Sequence, residues 1–367
     1  MQLGITPRLA GAGMIAFALV AASCGDPADR PGTVGEPAAD VRGRHDVVRP
    51  RLLIAQAQFH EVLEPNGETV ITPGPARLTI ATRADAGWTT EIVEDADGNV
   101  FHKAVGFGAS RSGSEIVTIS GNAEPAPAYL KRWRRGLDRW EPEVLASMTF
   151  GHRHNRFRDV EIGDLVGDEE LELAVATHDD GVVAVVRRGE DARWTVDVLD
   201  RSPATFVHEI ELGDLDGDGR LEIYATPTAP NRMDRGRQPG KVIQYRRSGD
   251  GWNASPVAVF DDRHAKEIVV ADMDGLGRPD LFAAVEPPAD PAVGEVRRTT
   301  IVRYRLDGGD WRGQPVAEIP APACRSLTVG DVDGDGRREM IAGCGRTGLW
   351  MLQPHGAEWR GGQSADA

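Results

Sequence analysis

The chain has 367 residues and carries 57 acidic against 42 basic side chains, a formal net charge of −15 at pH 7. Such an excess of negative charge argues against nucleic acid as a partner, because binding to the phosphate backbone requires a basic surface. The 43 glycines and the aromatic content of 6% favour a turn-rich β protein over a helical one.

Residues 1–23 are predicted to be an export signal. They carry one basic side chain, Arg8, and then the apolar stretch 15–22, which is too short to span a bilayer. The small residues directly before Cys24 resemble the lipobox of bacterial lipoproteins, although Ala21 stands where leucine is usual. The resemblance implies acylation of Cys24 and anchoring in the cell envelope. An ordinary signal peptide followed by a chance cysteine is the alternative.

The segment 24–45 is predicted to be a flexible tether, because it is rich in proline, glycine, alanine and charge. The remainder, 46–367, is predicted to be one folded domain. No segment after Cys24 reaches the roughly 18 apolar residues of a membrane span. The lipid on Cys24 is therefore the one membrane attachment that the sequence predicts, and the membrane leaflet stays open.

Tryptophan marks a repeat in the folded domain, with successive spacings of 52, 54, 58, 59 and 48 residues. Six of the eight tryptophans form this series, and they are Trp88, Trp140, Trp194, Trp252, Trp311 and Trp359. Each repeat contains four short β-rich runs bounded by Gly, Pro and Asp, and none shows sustained helical periodicity. The pattern predicts an all-β fold, a β-propeller of four-stranded antiparallel blades. Six blades are expected, and seven are the alternative.

Two acidic turns between the first and second strand of a repeat carry carboxylates at turn positions 1, 3, 5 and 9 and glycine at positions 4 and 6. They are Asp214, Asp216, Asp218 and Glu222, and Asp331, Asp333, Asp335 and Glu339. Four carboxylates within nine residues repel one another, and Ca²⁺ takes about six to eight oxygen ligands. The turns therefore predict bound calcium. Position 12 is alanine in both, so neither is an EF-hand loop.

These turns resemble the calcium loops of FG-GAP/VCBS repeats, the family that includes the propeller of integrin α chains. The resemblance covers roughly residues 100–350. It implies side-chain ligands from positions 1, 3, 5 and 9 and a backbone carbonyl ligand from position 7, which is Arg220 in one turn and Arg337 in the other. It also implies that each ion ties the hairpin of one blade.

Two other acidic turns depart from the pattern, with Leu276 at position 5 of one and Val166 at position 3 of the other. Their remaining acidic positions are Asp272, Asp274 and Asp280 in the first and Asp164, Asp168 and Glu172 in the second. Weaker calcium binding is expected in both. Because Asp and Gly also form tight turns without metal, metal-free turns are the alternative for all four.

A second set of residues lies six positions before the first aspartate of each turn. Its members are Arg158, His208, Lys266 and Arg325. In a propeller these positions would surround the channel mouth on the face opposite the acidic turns. Such a ring predicts binding of an anionic ligand, for instance an acidic glycan. Solvated loops with local ion pairing and a histidine metal site are the alternatives.

Cys324 and Cys344 are the cysteines that follow Cys24. Export would permit a disulfide between them. If 324–330 and 339–344 pair as antiparallel strands, the two thiols fall within a residue or two of cross-strand register. A disulfide and two buried free thiols both remain open.

These features favour a non-catalytic binding or adhesion module of the cell envelope, expected to be monomeric, with an anionic glycan or an envelope protein as partner. A polysaccharide lyase or hydrolase is the competing hypothesis, because related calcium-loop propellers occur in such enzymes. A structural subunit of an envelope complex is the third. The sequence contains no Gly-x-Ser-x-Gly, and His208-Glu209 lacks the second histidine of a zinc-protease motif.

Overall fold

The computed structural model of the chain describes residues 18–20, 51–107, 115–123, 125–151, 153–230, 237–288, 297–345, 347–356 and 358–363. Every element in these residues is a β-strand, and every strand pairing is antiparallel. The prediction of an all-β fold is therefore confirmed. Within the same residues there is no helix that could cross a membrane. Cys24, the tether and most of the predicted export signal lie outside the described residues.

The strands follow one another in six groups, which we number along the chain. Group one contains β1 (Ala18–Val20), β2 (Arg51–Gln56), β5 (Ala76–Ala84) and β6 (Gly87–Asp95), with the hairpin β3 (Phe59–Leu63) and β4 (Thr69–Pro73) inserted. Group two contains β7 (Val100–Gly106), β8 (Glu115–Ala123), β9 (Ala128–Arg135) and β10 (Trp140–Met148). Group three contains β11 (His154–Gly163), β12 (Glu172–Thr177), β13 (Val182–Arg188) and β14 (Trp194–Arg201).

The three remaining groups are separate four-stranded sheets in which each strand pairs with the next. Group four contains β15 (Phe206–Gly213), β16 (Glu222–Thr228), β17 (Gly240–Ser248) and β18 (Gly251–Phe260). Group five contains β19 (Ala265–Ala271), β20 (Asp280–Val285), β21 (Thr299–Asp307) and β22 (Asp310–Ile319). Group six contains β23 (Cys324–Gly330), β24 (Glu339–Cys344), β25 (Gly348–His355) and β26 (Glu358–Gln363).

Groups two and three are joined. The end of β8 pairs with the start of β11, with Asn122 opposite Asn155. The two groups thus share one curled sheet, whose continuous path is β10-β9-β8-β11-β12-β13-β14, while β7 pairs with β8 beside this path. The insertion β3–β4 between the first two long strands of group one was not expected from the repeat, and all five residues of β3 are exposed.

The hydrophobic core is divided into five clusters, and each cluster draws its buried residues from two consecutive groups. Phe157 and Val160 of β11, for example, pack with Val117 and Ile119 of β8. Strands such as β12 and β20 are buried along their whole length, because both of their faces are covered by neighbouring strands. Consecutive groups therefore pack against one another through apolar side chains, and burial of that surface stabilises the arrangement.

The repeated tryptophans explain part of this packing. Each is the first or second residue of the last strand of its group. The indole Nε1 of Trp140 donates a hydrogen bond to Glu91 (3.1 Å), and that of Trp194 donates one to Glu143 (3.2 Å). In both cases the acceptor lies on the last strand of the preceding group. The tryptophan period of the sequence thus reflects contacts between successive groups.

Candidate functional site

The four acidic turns lie at equivalent places, between the first and second strands of groups three to six. In each, the aspartate at position 1 accepts backbone hydrogen bonds from the turn. Asp214 accepts from Gly217 (2.7 Å) and Gly219 (2.8 Å), and Asp331 accepts from Gly334 (2.7 Å) and Gly336 (3.1 Å). The glycines at positions 4 and 6 have positive φ, between 77° and 85° in these two turns, which explains why glycine occupies both positions.

The turn 214–222 brings its four carboxylates together. Asp214, Asp216, Asp218 and Glu222 each contribute an oxygen to a cluster in which all of these atoms lie within 4.8 Å of one another. Glu222 is 1% exposed. Burial, and then the nearby negative charge of Asp214, raise the pKa of Glu222 above its usual value. Such crowding of like charges is unfavourable unless a positive charge compensates it.

A cation fits this cluster. One oxygen of Glu222, Oε2, accepts hydrogen bonds from the Tyr224 hydroxyl (2.9 Å) and from the Leu215 amide (3.2 Å). The other, Oε1, is buried without a hydrogen-bond partner. The positive charge that the structure places beside these oxygens is Arg246 of β17, which pairs with Asp216 and lies 3.9 Å from Glu222.

The turn 331–339 has a similar geometry but a different neighbour. Asp331, Asp333 and Asp335 bring one oxygen each within 4.8 Å of the others, while Glu339 is fully buried. Here β25 presents an uncharged side chain, Gln353, whose Nε2 donates to Glu339 (3.2 Å). No basic residue among the described residues forms an ion pair with this turn, so its negative charge is less compensated than that of the turn 214–222.

The turn 272–280 is compensated by arginine. Arg303 of β21 donates to Asp274 (2.7 Å) and also pairs with Asp280. Arg305 donates to Asp280 (2.9 Å) and Asp274 (3.2 Å). Although burial opposes it, the hydrogen bond from Arg303 lowers the pKa of Asp274. Two guanidinium groups therefore occupy the space around positions 3 and 9, where Leu276 leaves no carboxylate at position 5.

In the turn 164–172, the acidic side chains do not gather in the same way. Asp164 accepts from Gly167 (2.6 Å) and Glu169 (2.9 Å), and Glu172 accepts from the Leu165 amide (2.8 Å). Glu169 has φ of 69°, a conformation that glycine would adopt more readily. The third strand carries Arg187, but its guanidinium pairs with Asp197 (2.6 Å). This turn keeps the backbone conformation of the motif but lacks part of its set of carboxylate oxygens.

The four groups thus differ in the residue at one position of the third strand. The sequence motif of the turn does not include this position. The strand register places it opposite position 9 of the turn. The residues there are Arg187, Arg246, Arg305 and Gln353 in groups three to six. They follow the turn by 14 to 25 residues in sequence, so only the pairing of the second and third strands shows that they adjoin the carboxylates.

A second feature recurs at the other end of the first strands. In five consecutive groups, the pairing of the first with the second strand is interrupted by a β-bulge. The extra residues are His102, Arg158, His208, Lys266 and Arg325, the bulge at His208 also including Glu209. We call these five residues the bulge cluster. The sequence predicts four of them from their spacing of six residues before an acidic turn, whereas this spacing does not predict His102.

The members of the bulge cluster contact shared neighbours. Nη1 of Arg158 lies 3.4 Å from Nδ1 of His102. Glu286 pairs with both Arg325 and Lys266, at 3.5 Å in the second case. Burial lowers the pKa of His208 well below its usual value, and the positive charges of Lys266 and Arg158 lower it further. The five side chains therefore act on one another electrostatically.

A buried charged layer follows the bulge cluster along the first strands. Lys103, Asp159 and Glu267 come directly after bulged residues, and each is at most 9% exposed. Lys103 pairs with Asp159 (2.6 Å) and with Glu161. Although burial opposes it, Asp159 and then Glu161 hold the pKa of Lys103 well above its usual value. Burial raises the pKa of Glu267 to about 7.

A disulfide joins Cys324 and Cys344, which lie directly opposite each other on β23 and β24. It therefore closes the hairpin that carries the acidic turn 331–339. Comparison with protein-family models and with curated proteins found no match. The resemblance to FG-GAP/VCBS repeats consequently rests on the acidic turns and on the strand pattern around them.

Proposed function

We propose that this chain is a calcium-stabilised binding module of the FG-GAP/VCBS type, non-catalytic and displayed in the bacterial cell envelope. The observation that carries the proposal is the acidic turn, which recurs at the same place in four consecutive groups and gathers its carboxylates in two of them. Turns without a shared role would not be expected to repeat both the backbone conformation and the clustering of carboxylate oxygens.

We further propose that the six groups are the blades of a six-bladed propeller. Three features support this: each complete group consists of four antiparallel strands, consecutive groups pack through shared clusters, and the first strands of groups two to six lie side by side in chain order. A closed ring would also remove exposed sheet edges.

Calcium would be held in the turn 214–222 by Asp214, Asp216, Asp218 and Glu222, with the carbonyl of Arg220, and in the turn 331–339 by the equivalent residues. The ion supplies the positive charge that lets these carboxylates lie together. Its role is structural: it fixes the hairpin of the first and second strands. In the turn 272–280 we propose that Arg303 and Arg305 replace the ion.

The experiment that tests calcium stabilisation is calorimetric unfolding of the wild type in calcium and in EGTA. A ligand that binds only the folded state at a hundredfold excess over Kd stabilises it by about 2.7 kcal/mol per site. Asp216→Ala and Asp333→Ala should lower the melting temperature in calcium and change it little in EGTA. Asp250→Ala, in an exposed hairpin turn, is the matched control. Equal wild-type melting temperatures in both buffers would overturn the proposal.

Envelope display is tested separately, because it depends on Cys24, outside the described residues. Cys24→Ser should move the protein from the membrane pellet to the soluble fraction, since acylation is the attachment that the sequence offers. Retention of the variant in the pellet after a high-salt wash would contradict the lipid anchor and leave the calcium proposal untouched.

A further inference from the structure

Each residue of the bulge cluster lies in a β-bulge, a backbone feature that costs free energy. A β-bulge leaves a residue unpaired in the ladder, and bulges serve to direct a side chain that regular pairing would point elsewhere. Here the same interruption occurs in five consecutive groups, and every bulge contains a cation or an imidazole, with Glu209 beside His208 in group four. Turn geometry or packing alone would not select for this side-chain chemistry.

The bulges direct these side chains away from one face of the core. In group three, Phe157 before the bulge and Val160 after it both pack in the cluster shared with group two. Val207 and Ile210 do the same on either side of His208 in group four. The bulged residue between them therefore points to the opposite side, and the strands that carry the bulges lie next to one another in order.

The positive charge of the cluster is only partly compensated. Glu286 is shared by Lys266 and Arg325. The neighbouring Arg156 is neutralised by its bidentate pairing with Asp179 (2.7 and 3.0 Å). Among the described residues Arg158 has no carboxylate within ion-pair distance, and its polar contact is the His102 ring. One guanidinium thus lies half-buried in the cluster without an anionic partner.

The cluster also contains buried polar atoms without partners. His208 is 8% exposed, and its Nε2 has no hydrogen-bond partner in the described part of the chain. The same is true of Nε2 in His264, which is 2% exposed and lies two residues from Lys266. A buried polar atom without a partner costs free energy, so such atoms at a charged site indicate that a ligand can satisfy them.

We propose that the bulge cluster binds the carboxylate group of an acidic ligand, with Arg158 as its main charged contact and His208 as a second donor. The planar guanidinium matches the two oxygens of a carboxylate. A monoanion fits better than a phosphate dianion, because Glu267 and Glu286 limit the positive charge that is available. The inference names the ligand class of the proposed binding module and so rests on that proposal.

Titration calorimetry of the full chain in calcium buffer tests this, with sodium glucuronate as the probe and inorganic phosphate as the comparison. The wild type should bind glucuronate more tightly than phosphate. Arg158→Gln should weaken glucuronate binding at least about tenfold, and Arg158→Lys should weaken it less. Arg263→Gln, an exposed cation just before β19, is the matched control and should bind as the wild type does. Circular dichroism checks that each variant is folded.

Absence of glucuronate binding by the folded wild type would overturn the inference, as would equal binding by Arg158→Gln. Preferential phosphate binding would overturn the assignment to carboxylate. The outcomes also separate the two proposals. Glucuronate binding by a protein whose stability ignores calcium would contradict the calcium proposal alone, whereas calcium-dependent stability without glucuronate binding would contradict this inference alone.

Discussion

The side-chain amide of Gln353 donates a hydrogen bond to the buried carboxylate of Glu339 (Nε2–Oε1 3.2 Å). Groups three to five carry arginine at the equivalent place of the third strand, and in group four that arginine, Arg246, pairs with a carboxylate of the turn. A fixed cation competes with a bound one for the same oxygens. The turn 331–339 is therefore expected to bind calcium more tightly than the turn 214–222 does.

The first prediction is that Gln353→Arg weakens calcium binding at the turn 331–339 by roughly tenfold, because a guanidinium would then lie beside Glu339. Calcium titration followed by calorimetry measures the affinity. Gln314→Arg, on an exposed part of β22, adds the same charge opposite Arg303 in the preceding group and serves as the control. An unchanged affinity in the first variant would show that the third strand does not influence the site.

The second prediction concerns Arg246→Gln, which should strengthen calcium binding at the turn 214–222. It should also lower the melting temperature in EGTA, because Asp216 and the buried Glu222 lose their compensating charge. Relative to the wild type, the variant should thus bind calcium more tightly but be less stable in EGTA. Arg247→Gln removes a charge from the next residue of the same strand and should show neither. Destabilisation of the Arg246 variant by the same amount in both buffers would argue for a purely structural arginine.

The third prediction is a fall in stability as the pH rises from about 4.5 to 7. Burial raises the pKa of Glu267 to about 7 in the folded protein, against an ordinary value of 4.5, although Arg158 and Arg325 oppose this. Below both values the group is protonated in the folded and unfolded states and costs nothing. Above them the folded state bears a buried charge, at a cost of about 3 kcal/mol.

Urea unfolding between pH 4 and 8 measures this effect. Glu267→Gln should flatten the decline, since an amide does not ionise. Burial also raises the pKa of Glu209 and of Glu211 well above the usual value, so the decline should shrink and not vanish. Glu318→Gln, on an exposed strand, should leave the wild-type profile unchanged. If the Glu267 variant had the same pH profile as the wild type, the fall in stability could not be assigned to ionisation of Glu267.

The fourth prediction is that Trp194→Phe lowers the free energy of unfolding by about 1 to 2 kcal/mol. It removes the hydrogen bond to Glu143 (3.2 Å) and part of the contact between groups two and three. Trp88→Phe is the control, because Trp88 is 52% exposed and belongs to the first group. Chemical denaturation compares the two. Similar losses in both variants would mean that the repeated tryptophans do not act between groups.

The fifth prediction is that the double variant Cys324→Ser with Cys344→Ser loses about 3 kcal/mol of stability. The disulfide closes a segment with a sequence separation of 20 residues, and cross-linking a segment of this size restricts the unfolded chain by about that amount. A reducing agent should destabilise the wild type by a similar amount and leave the double variant unchanged. Equal stability of wild type and variant would assign the disulfide no role in stability.

The sequence alone determined the all-β class and the positions of the acidic turns, because both depend on local chemistry. Asp and Gly at fixed spacing select a tight turn wherever they occur, and the tryptophan period marks the last strand of every group. Arg158, His208, Lys266 and Arg325 could be found because each lies at a constant distance from such a turn.

The tertiary structure decided everything that depends on register between strands. In group two the acidic motif is absent, and Phe107 stands at turn position 1. Counting six residues back from it reaches Phe101, whereas the bulge lies at His102. The direct opposition of Cys324 and Cys344 and the approach of Arg303 and Arg305 to Asp280 likewise follow from pairing. A shift of one residue in a strand moves every side chain to the other face, so composition and spacing do not determine which partners meet.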